Sequence, residues 1–143
     1  MRLTDVMTRD AECAKPGDSL AHAAERMRDL NVGSLPVCDN DRLAGVITDR
    51  DITIRATASC CDPEKTTVAD VMTPDIVYCF EDQDVSEAAQ RMEEKQIRRI
   101  AVLNRNKRLV GIVSLGDLAV KVHDEKLSAE ALEHISEPVA PVR

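Results

Sequence analysis

Two tetrads carry the chemistry open to this chain of 143 residues: Thr48-Asp49-Arg50-Asp51 and Ser114-Leu115-Gly116-Asp117. In each, a hydroxyl residue closes an apolar run of β type, and an aspartate follows three residues on, where a helix begins. Such a junction has unpaired backbone N–H groups and the positive end of the helix dipole, so a phosphate or another anion can settle there. The hydroxyl adds one more hydrogen bond. One turn into the helix, the carboxylates of Asp51 and Asp117 can accept from both hydroxyls of a ribose, as acidic residues do in dinucleotide sites. The same tetrad is also how a helix caps itself. The two readings are compatible, with the cap as resting role and a ligand as its competitor. Arg50 lies in the same turn, placed either to touch a phosphate or, with Asp49, to face solvent.

The elements that position these tetrads come twice. Asp5-Val6-Met7-Thr8 recurs as Asp70-Val71-Met72-Thr73, Ala23-Ala24 as Ala88-Ala89, Met27 as Met92 and Val37 as Val102, all at one constant offset. After a loop one residue longer in the second copy, Leu43 to Thr48 matches Leu109 to Ser114, and Asp51 matches Asp117. Landmarks in the same order mean two copies of one unit, each covering the other's apolar face. Each copy reads β-α-β-β-α. A short extended piece (Glu12-Cys13-Ala14; Ile76 to Phe80) leads to a helix capped by Asp18-Ser19 or by the box Asp84–Glu87. Leu20, Ala23, Ala24, Met27 and Leu30 form its buried stripe, repeated as Val85, Ala88, Ala89 and Met92. A hairpin follows, Ser34 to Cys38 with Leu43 to Thr48, and Arg99 to Leu103 with Leu109 to Ser114. Pro36 has no N–H, so its strand must be an edge or leave a gap there. Second helices run from Asp51 to about Ala56 and from Asp117 to about Val122. The expected organisation is repeat 1 over residues 1–58, a linker over 59–69, repeat 2 over 70–123, and a tail over 124–143 with one helix from Ser128 to about His134 before a fraying Glu137-Pro138-Val139-Ala140-Pro141.

Composition narrows the function. The net charge of -7 argues against a protein built to hold nucleic acid. Tyr78 and Phe80 are the only aromatic residues, too few for a base-stacking platform. Arg98, Arg99, Arg105, Lys107 and Arg108 are the one basic cluster. No apolar run is long enough to span a membrane, and no signal peptide is evident, so the cytoplasm is the expected location. Five cysteines with no Cys-x-x-Cys and no His pair at metal spacing disfavour a metal site. His22, His123 and His134 lie on helices or in the tail, and no nucleophile–base pair accompanies them, so no enzyme is expected.

On Asp-Val-Met-Thr, on Leu35-Pro36-Val37 and Ile100-Ala101-Val102, and on Gly45-Val46-Ile47-Thr48-Asp49-Arg50-Asp51 with Gly111-Ile112-Val113-Ser114-Leu115-Gly116-Asp117, the chain resembles a tandem pair of CBS domains. The likeness covers about residues 3 to 123 and extends to small stand-alone bacterial CBS-pair proteins, including the hypoxic-response type. It implies an α/β (α+β) fold of two repeats packed with pseudo-two-fold symmetry, and a head-to-head homodimer. It also implies clefts for AMP, ADP, ATP or a related adenosyl ligand, with no required cofactor, and a regulated partner that the sequence does not name. Carried over from related modules, Asp51 and Thr48 hold the sugar while Arg98 or Arg99 reaches the phosphate. That assignment makes the Asp51 cleft the tighter, since Gly33-Ser34 stand where the second copy has its arginines. The plainer alternative is a surface arginine pair bonded to Glu93 or Glu94. Pro36 leaves a gap through which adenine can approach the backbone. Cys13 and Cys38 fall on neighbouring strands of that fold, as a disulfide or as two buried reduced thiols. The alternative function is a ligand-free interaction protein, stress- or redox-linked through that cysteine pair.

Overall fold

A computed structural model describes residues 1–9, 11–74, 77–121 and 125–136. It divides into two compact units, and they are not the two sequence repeats. Unit 1 holds residues 1–11, 77–106 and 110–143; unit 2 holds 12–76 and 107–109. Each unit thus joins the body of one copy to the Asp-Val-Met-Thr opening of the other.

In unit 1, a 3-10 turn Leu3–Asp5 leads into β1 (Thr8–Arg9). A four-stranded sheet has the order β1, β6 (Leu109–Ser114), β5 (Arg99–Leu103), β4 (Tyr78–Phe80). β1 is antiparallel to β6, with Thr8 opposite Ile112, and β4 is parallel to β5. The helices are α4 (Val85–Lys95), α5 (Leu115–Lys121) and α6 (Glu125–Ser136). Leu3, Val6 and Met7 of the opening are buried in the same core as Met92, Val102, Val113 and Leu118.

In unit 2, α1 (Leu20–Leu30) precedes the antiparallel pair β2 (Ser34–Asp39) and β3 (Arg42–Thr48). α2 (Asp49–Asp51) runs on into a π-helical segment, Ile52–Thr57, and α3 (Val68–Val71) carries the second opening. Single bridges extend the pair on both sides, Val46 with Thr73 and Ala14 with Val37. These reproduce the strand order of unit 1 with less hydrogen bonding. Glu12-Cys13-Ala14, expected as a strand, keeps two ladder bonds among the described residues, Ala14 N–H to Pro36 O at 2.8 Å and Cys38 N–H to Ala14 O at 2.9 Å. Pro36 removes the donor that the next rung would need, whereas Ala101 supplies it in β5 and three residues pair there.

Other differences from expectation have equally local causes. Residues 59–69, expected as a linker, bond within unit 2: Leu20 N–H reaches Thr66 O, Val68 N–H reaches Asp18 O, and Val68 is fully buried. Ala24 and Leu30 are exposed while Ala89 is buried. The reason is α6, which packs on α4 through Ala131 and Ile135 and has no counterpart over α1 among the described residues. That tail helix starts three residues earlier than expected, at Glu125. Ile76, Val122, His123 and residues 137–143 lie outside the described residues.

A glycine at one sheet position brings each opening close. A Cβ on Gly45 would stand 2.5 Å from Thr73 O, and one on Gly111 would stand 2.7 Å from Thr8 O. Only a glycine admits a crossing backbone there.

Candidate functional site

Each Thr/Ser-x-x-Asp tetrad closes as a capping box. In unit 2, Thr48 N–H donates to Asp51 Oδ2 at 3.1 Å, and Asp51 N–H donates to Thr48 Oγ1 at 3.0 Å. In unit 1, Ser114 N–H donates to Asp117 Oδ2 at 2.9 Å, and Asp117 N–H donates to Ser114 Oγ at 3.0 Å. The capping role is therefore present at both, with each carboxylate set at the end of a strand and the start of a helix.

A cation that the motif reading overlooked stands one turn further on. Arg55 Nε lies 3.7 Å from Asp51 Oδ1, and Lys121 Nζ lies 3.5 Å from Asp117 Oδ1. Both cations also donate to the opening packed beside them. Arg55 Nη1 reaches Val71 O at 3.4 Å and Met72 O at 3.3 Å, and Lys121 Nζ reaches Val6 O at 2.9 Å. Val6 and Val71 are equivalent residues, so one device is built twice: acid, cation, and carbonyl of the opening. The signal was present, since Arg55 and Lys121 occupy matching places in the repeat, each four residues after its aspartate.

The two sites differ in one hydroxyl. Thr73 Oγ1 donates to Asp51 at 3.2 Å from Oδ1 and 3.3 Å from Oδ2. Its counterpart Thr8 is exposed, and its hydroxyl bonds no described residue. The Asp51 side chain is 10% exposed and that of Asp117 19%. Asp51 is the one buried charged residue among those described.

The remaining predicted residues fall as follows. Asp49 and Arg50 are exposed, and Arg50 N–H donates to Asp49 Oδ1 at 2.8 Å. Pro36 is buried in β2 opposite Val46. Arg98 and Arg99 are exposed at the start of β5, and Arg98 O accepts from Leu115 N–H at 2.8 Å. Within unit 1 that bond sets the arginine pair beside the Ser114 junction. Neither guanidinium holds an ion pair among the described residues. Glu93 pairs with His134 Nδ1 at 3.2 Å, and Glu94 accepts from Gln90 at 3.2 Å, so neither acid serves the arginines.

Cys13 and Cys38 are free thiols in contact at the opposite end of β2, the end that carries the Asn40-Asp41 turn. Burial first, then the neighbouring Cys13, pushes the Cys38 thiol up to about 12. Both line a cleft of ≈ 700 Å³ with Lys15, Asp18, Asp41 and Arg108. Among the described residues no three metal-ligating side chains converge.

The family model for the CBS domain matches residues 3–56 and 68–124, most of the chain. This chain belongs to the CBS-domain family. The CBS pair is 39% identical over 116 residues to Hypoxic response protein 1 of Mycobacterium tuberculosis, covering 80% of this chain and 80% of that protein. The solved structure of Hypoxic Response Protein I, with two coordinated zinc ions, superposes with a TM-score of 0.78 at 37% identity, covering 85% of this chain and 98% of that one. The CBS domain pair of protein MJ0100, in complex with 5-methylthioadenosine and S-adenosyl-L-methionine, matches with a TM-score of 0.74 at 28% identity, covering 88% of this chain and 98% of that one. CBSX2 in complex with AMP matches with a TM-score of 0.74 at 25% identity over 87% of this chain and 98% of that one. The α+β architecture of the CBS pair is thus that of solved CBS-domain structures.

Proposed function

We propose that this CBS pair is a non-catalytic regulatory module that binds an adenosyl ligand and passes its occupancy to a partner protein. The observation that carries the reading is the repeated station of carboxylate, hydroxyl and helix start at Thr48–Asp51 and Ser114–Asp117. Among the described residues the Asp117 carboxylate accepts one N–H, from Ser114, beside the Lys121 ammonium, and so keeps lone pairs for the two hydroxyls of a ribose; Asp51 has the same station with the Thr73 hydroxyl added to it. The ligands carried by CBSX2 and MJ0100 share that sugar. Arg98 and Arg99, exposed and free of described ion pairs, are the cations we assign to a phosphate, with Arg50 as a further donor. Pro36 leaves backbone room for the base. The response follows if the ligand binds two conformations of the module unequally. A homodimer acting in the cytoplasm completes this reading.

The test is calorimetric titration with AMP, ADP, ATP, NAD and S-adenosylmethionine. The expected result is saturable binding of at least one, weakened about tenfold or more by Asp51→Asn or Asp117→Asn, since each loses a charge-assisted bond. Loss of affinity in Arg99→Ala for AMP but not for S-adenosylmethionine would assign the arginine to phosphate. Absence of binding by all five ligands would leave the fold as an interaction scaffold.

A second reading has one observation in its favour, the contact between the Cys13 and Cys38 thiols. In it the protein binds no nucleotide, and an oxidant such as a peroxide takes two electrons and two protons from the pair to form a disulfide. Free-thiol counts on peroxide-treated and reduced protein decide it: equal counts dismiss this reading.

A further inference from the structure

We propose that Thr73 is a built-in competitor for the ribose at Asp51, so that the two stations of this CBS pair have different affinities by construction. The inference rests on the reading that these aspartates take ribose hydroxyls. A ribose hydroxyl approaching a carboxylate must find an acceptor lone pair that is not already in use. At Asp51 the Thr73 hydroxyl stands within hydrogen-bond distance of both oxygens, at 3.2 and 3.3 Å, where a sugar hydroxyl would sit. Thr48 N–H already uses Oδ2. At Asp117 the hydroxyl of the equivalent threonine, Thr8, bonds no described residue, and among the described residues the acid has only Ser114 N–H and the ammonium of Lys121.

The backbone holds the competitor in place. Thr73 exchanges two hydrogen bonds with Val46, its N–H to Val46 O at 2.9 Å and Val46 N–H to Thr73 O at 3.0 Å. Gly45 permits that approach, because any Cβ there would meet Thr73 O. The hydroxyl therefore leaves Asp51 by rotation about χ1 alone, between staggered wells, with no strand movement. Release is a side-chain event, and its energetic cost is the bond to the carboxylate. Removal of the hydroxyl removes that cost from ligand binding.

The experiment measures AMP affinity by calorimetry in full-length protein carrying Asp117→Asn, which leaves only the Asp51 station intact. Thr73→Val keeps the β-branched shape and deletes the hydroxyl. It is expected to tighten AMP about tenfold, the factor that one such bond represents. Thr73→Ser keeps a hydroxyl and is expected to bind as the parent does, which separates the hydroxyl from the bulk of the residue. Adding Asp51→Asn to Thr73→Val should abolish the gain. AMP binding that Thr73→Val leaves unchanged or weakens overturns the competitor role and leaves the ribose reading standing. No AMP binding in the wild type, in Thr73→Val or in the Asp117→Asn background sinks both together. A thermal double-mutant cycle needs no ligand. Additive melting shifts for Thr73→Val and Asp51→Asn would show that hydroxyl and carboxylate do not interact in solution, and would also overturn the proposal.

Discussion

Unit 1 and unit 2 have the same backbone plan and different polar fillings. At the acid of each tetrad, both have a capping box, a cation one turn on, and a carbonyl of the opening bound to that cation. Only unit 2 adds the Thr73 hydroxyl to its carboxylate. Only unit 1 sets an arginine pair beside the junction, where unit 2 has Gly33 and Ser34. Duplication therefore preserved the scaffold of the station and let its polar neighbours diverge.

The largest effect should come from the scaffold that the units share. Gly45→Ala drives a methyl group to 2.5 Å from Thr73 O, a backbone atom held by its own ladder. We expect a loss of about 3 kcal/mol, at the upper end of ordinary overpacking. Gly111→Ala meets Thr8 O at 2.7 Å and the Met7 side chain, part of which can rotate away, so its cost should be smaller, about 2 kcal/mol. Urea unfolding of both variants ranks them. Equal stability of either variant and the parent would show that the crossing backbone does not lie so close in solution.

Much of this arrangement was legible in the sequence. The hairpins Ser34–Asp39 with Arg42–Thr48, and Arg99–Leu103 with Leu109–Ser114, lie within a residue of their expected ends. Alternating apolar residues between polar turns mark such strands locally, and the repeat checks each against the other. The exchange of openings was not legible. A period shows that Asp5-Val6-Met7-Thr8 and Asp70-Val71-Met72-Thr73 are equivalent, but not which body each one covers. Nor could the stripe on α1 reveal that Ala24 would stay exposed, because its counterpart Ala89 is covered by α6, a helix outside the repeat. The capping boxes were readable as motifs. Thr73 on Asp51 was not, since that contact depends on the exchange.

A middle-sized effect should separate the units at alkaline pH. Cys38 of unit 2 occupies the place of Leu103 in unit 1, and burial with Cys13 beside it pushes its thiol up to about 12. The neutral thiol is the folded form's preference. Its contribution is therefore whole below the unfolded thiol's value of 9.0 and is lost as pH rises toward about 12. Denaturant midpoints should fall above pH 9 less steeply in Cys38→Val than in the parent. Burial also raises the thiol of Cys79 in unit 1, so part of the slope should survive. At neutral pH iodoacetamide should label exposed Cys60 and Cys61 well before Cys38, because only the thiolate reacts. Labelling of Cys38 first would contradict its burial.

The smallest expected difference lies at the N-termini of α1 and α4, where Ser19 and Asp84 are equivalent caps. Ser19 Oγ accepts from His22 N–H at 3.1 Å, and Asp84 Oδ2 accepts from Ser86 N–H at 3.0 Å. Either residue replaced by Ala should cost about 1 kcal/mol at neutral pH. The two part company in acid. The hydroxyl and backbone N–H of Ser86, with the terminal ammonium of Met1, hold the Asp84 carboxyl down at about 2. A depressed carboxyl stabilises above its unfolded value of 3.8, and that contribution disappears as pH falls toward 2. The penalty of Asp84→Ala should therefore shrink between pH 4 and pH 2, while that of Ser19→Ala stays constant, because a serine hydroxyl has no charge to lose over that range. Urea midpoints of the two variants across that interval test it, and parallel curves would mean that Asp84 caps its helix no differently in charge from a hydroxyl.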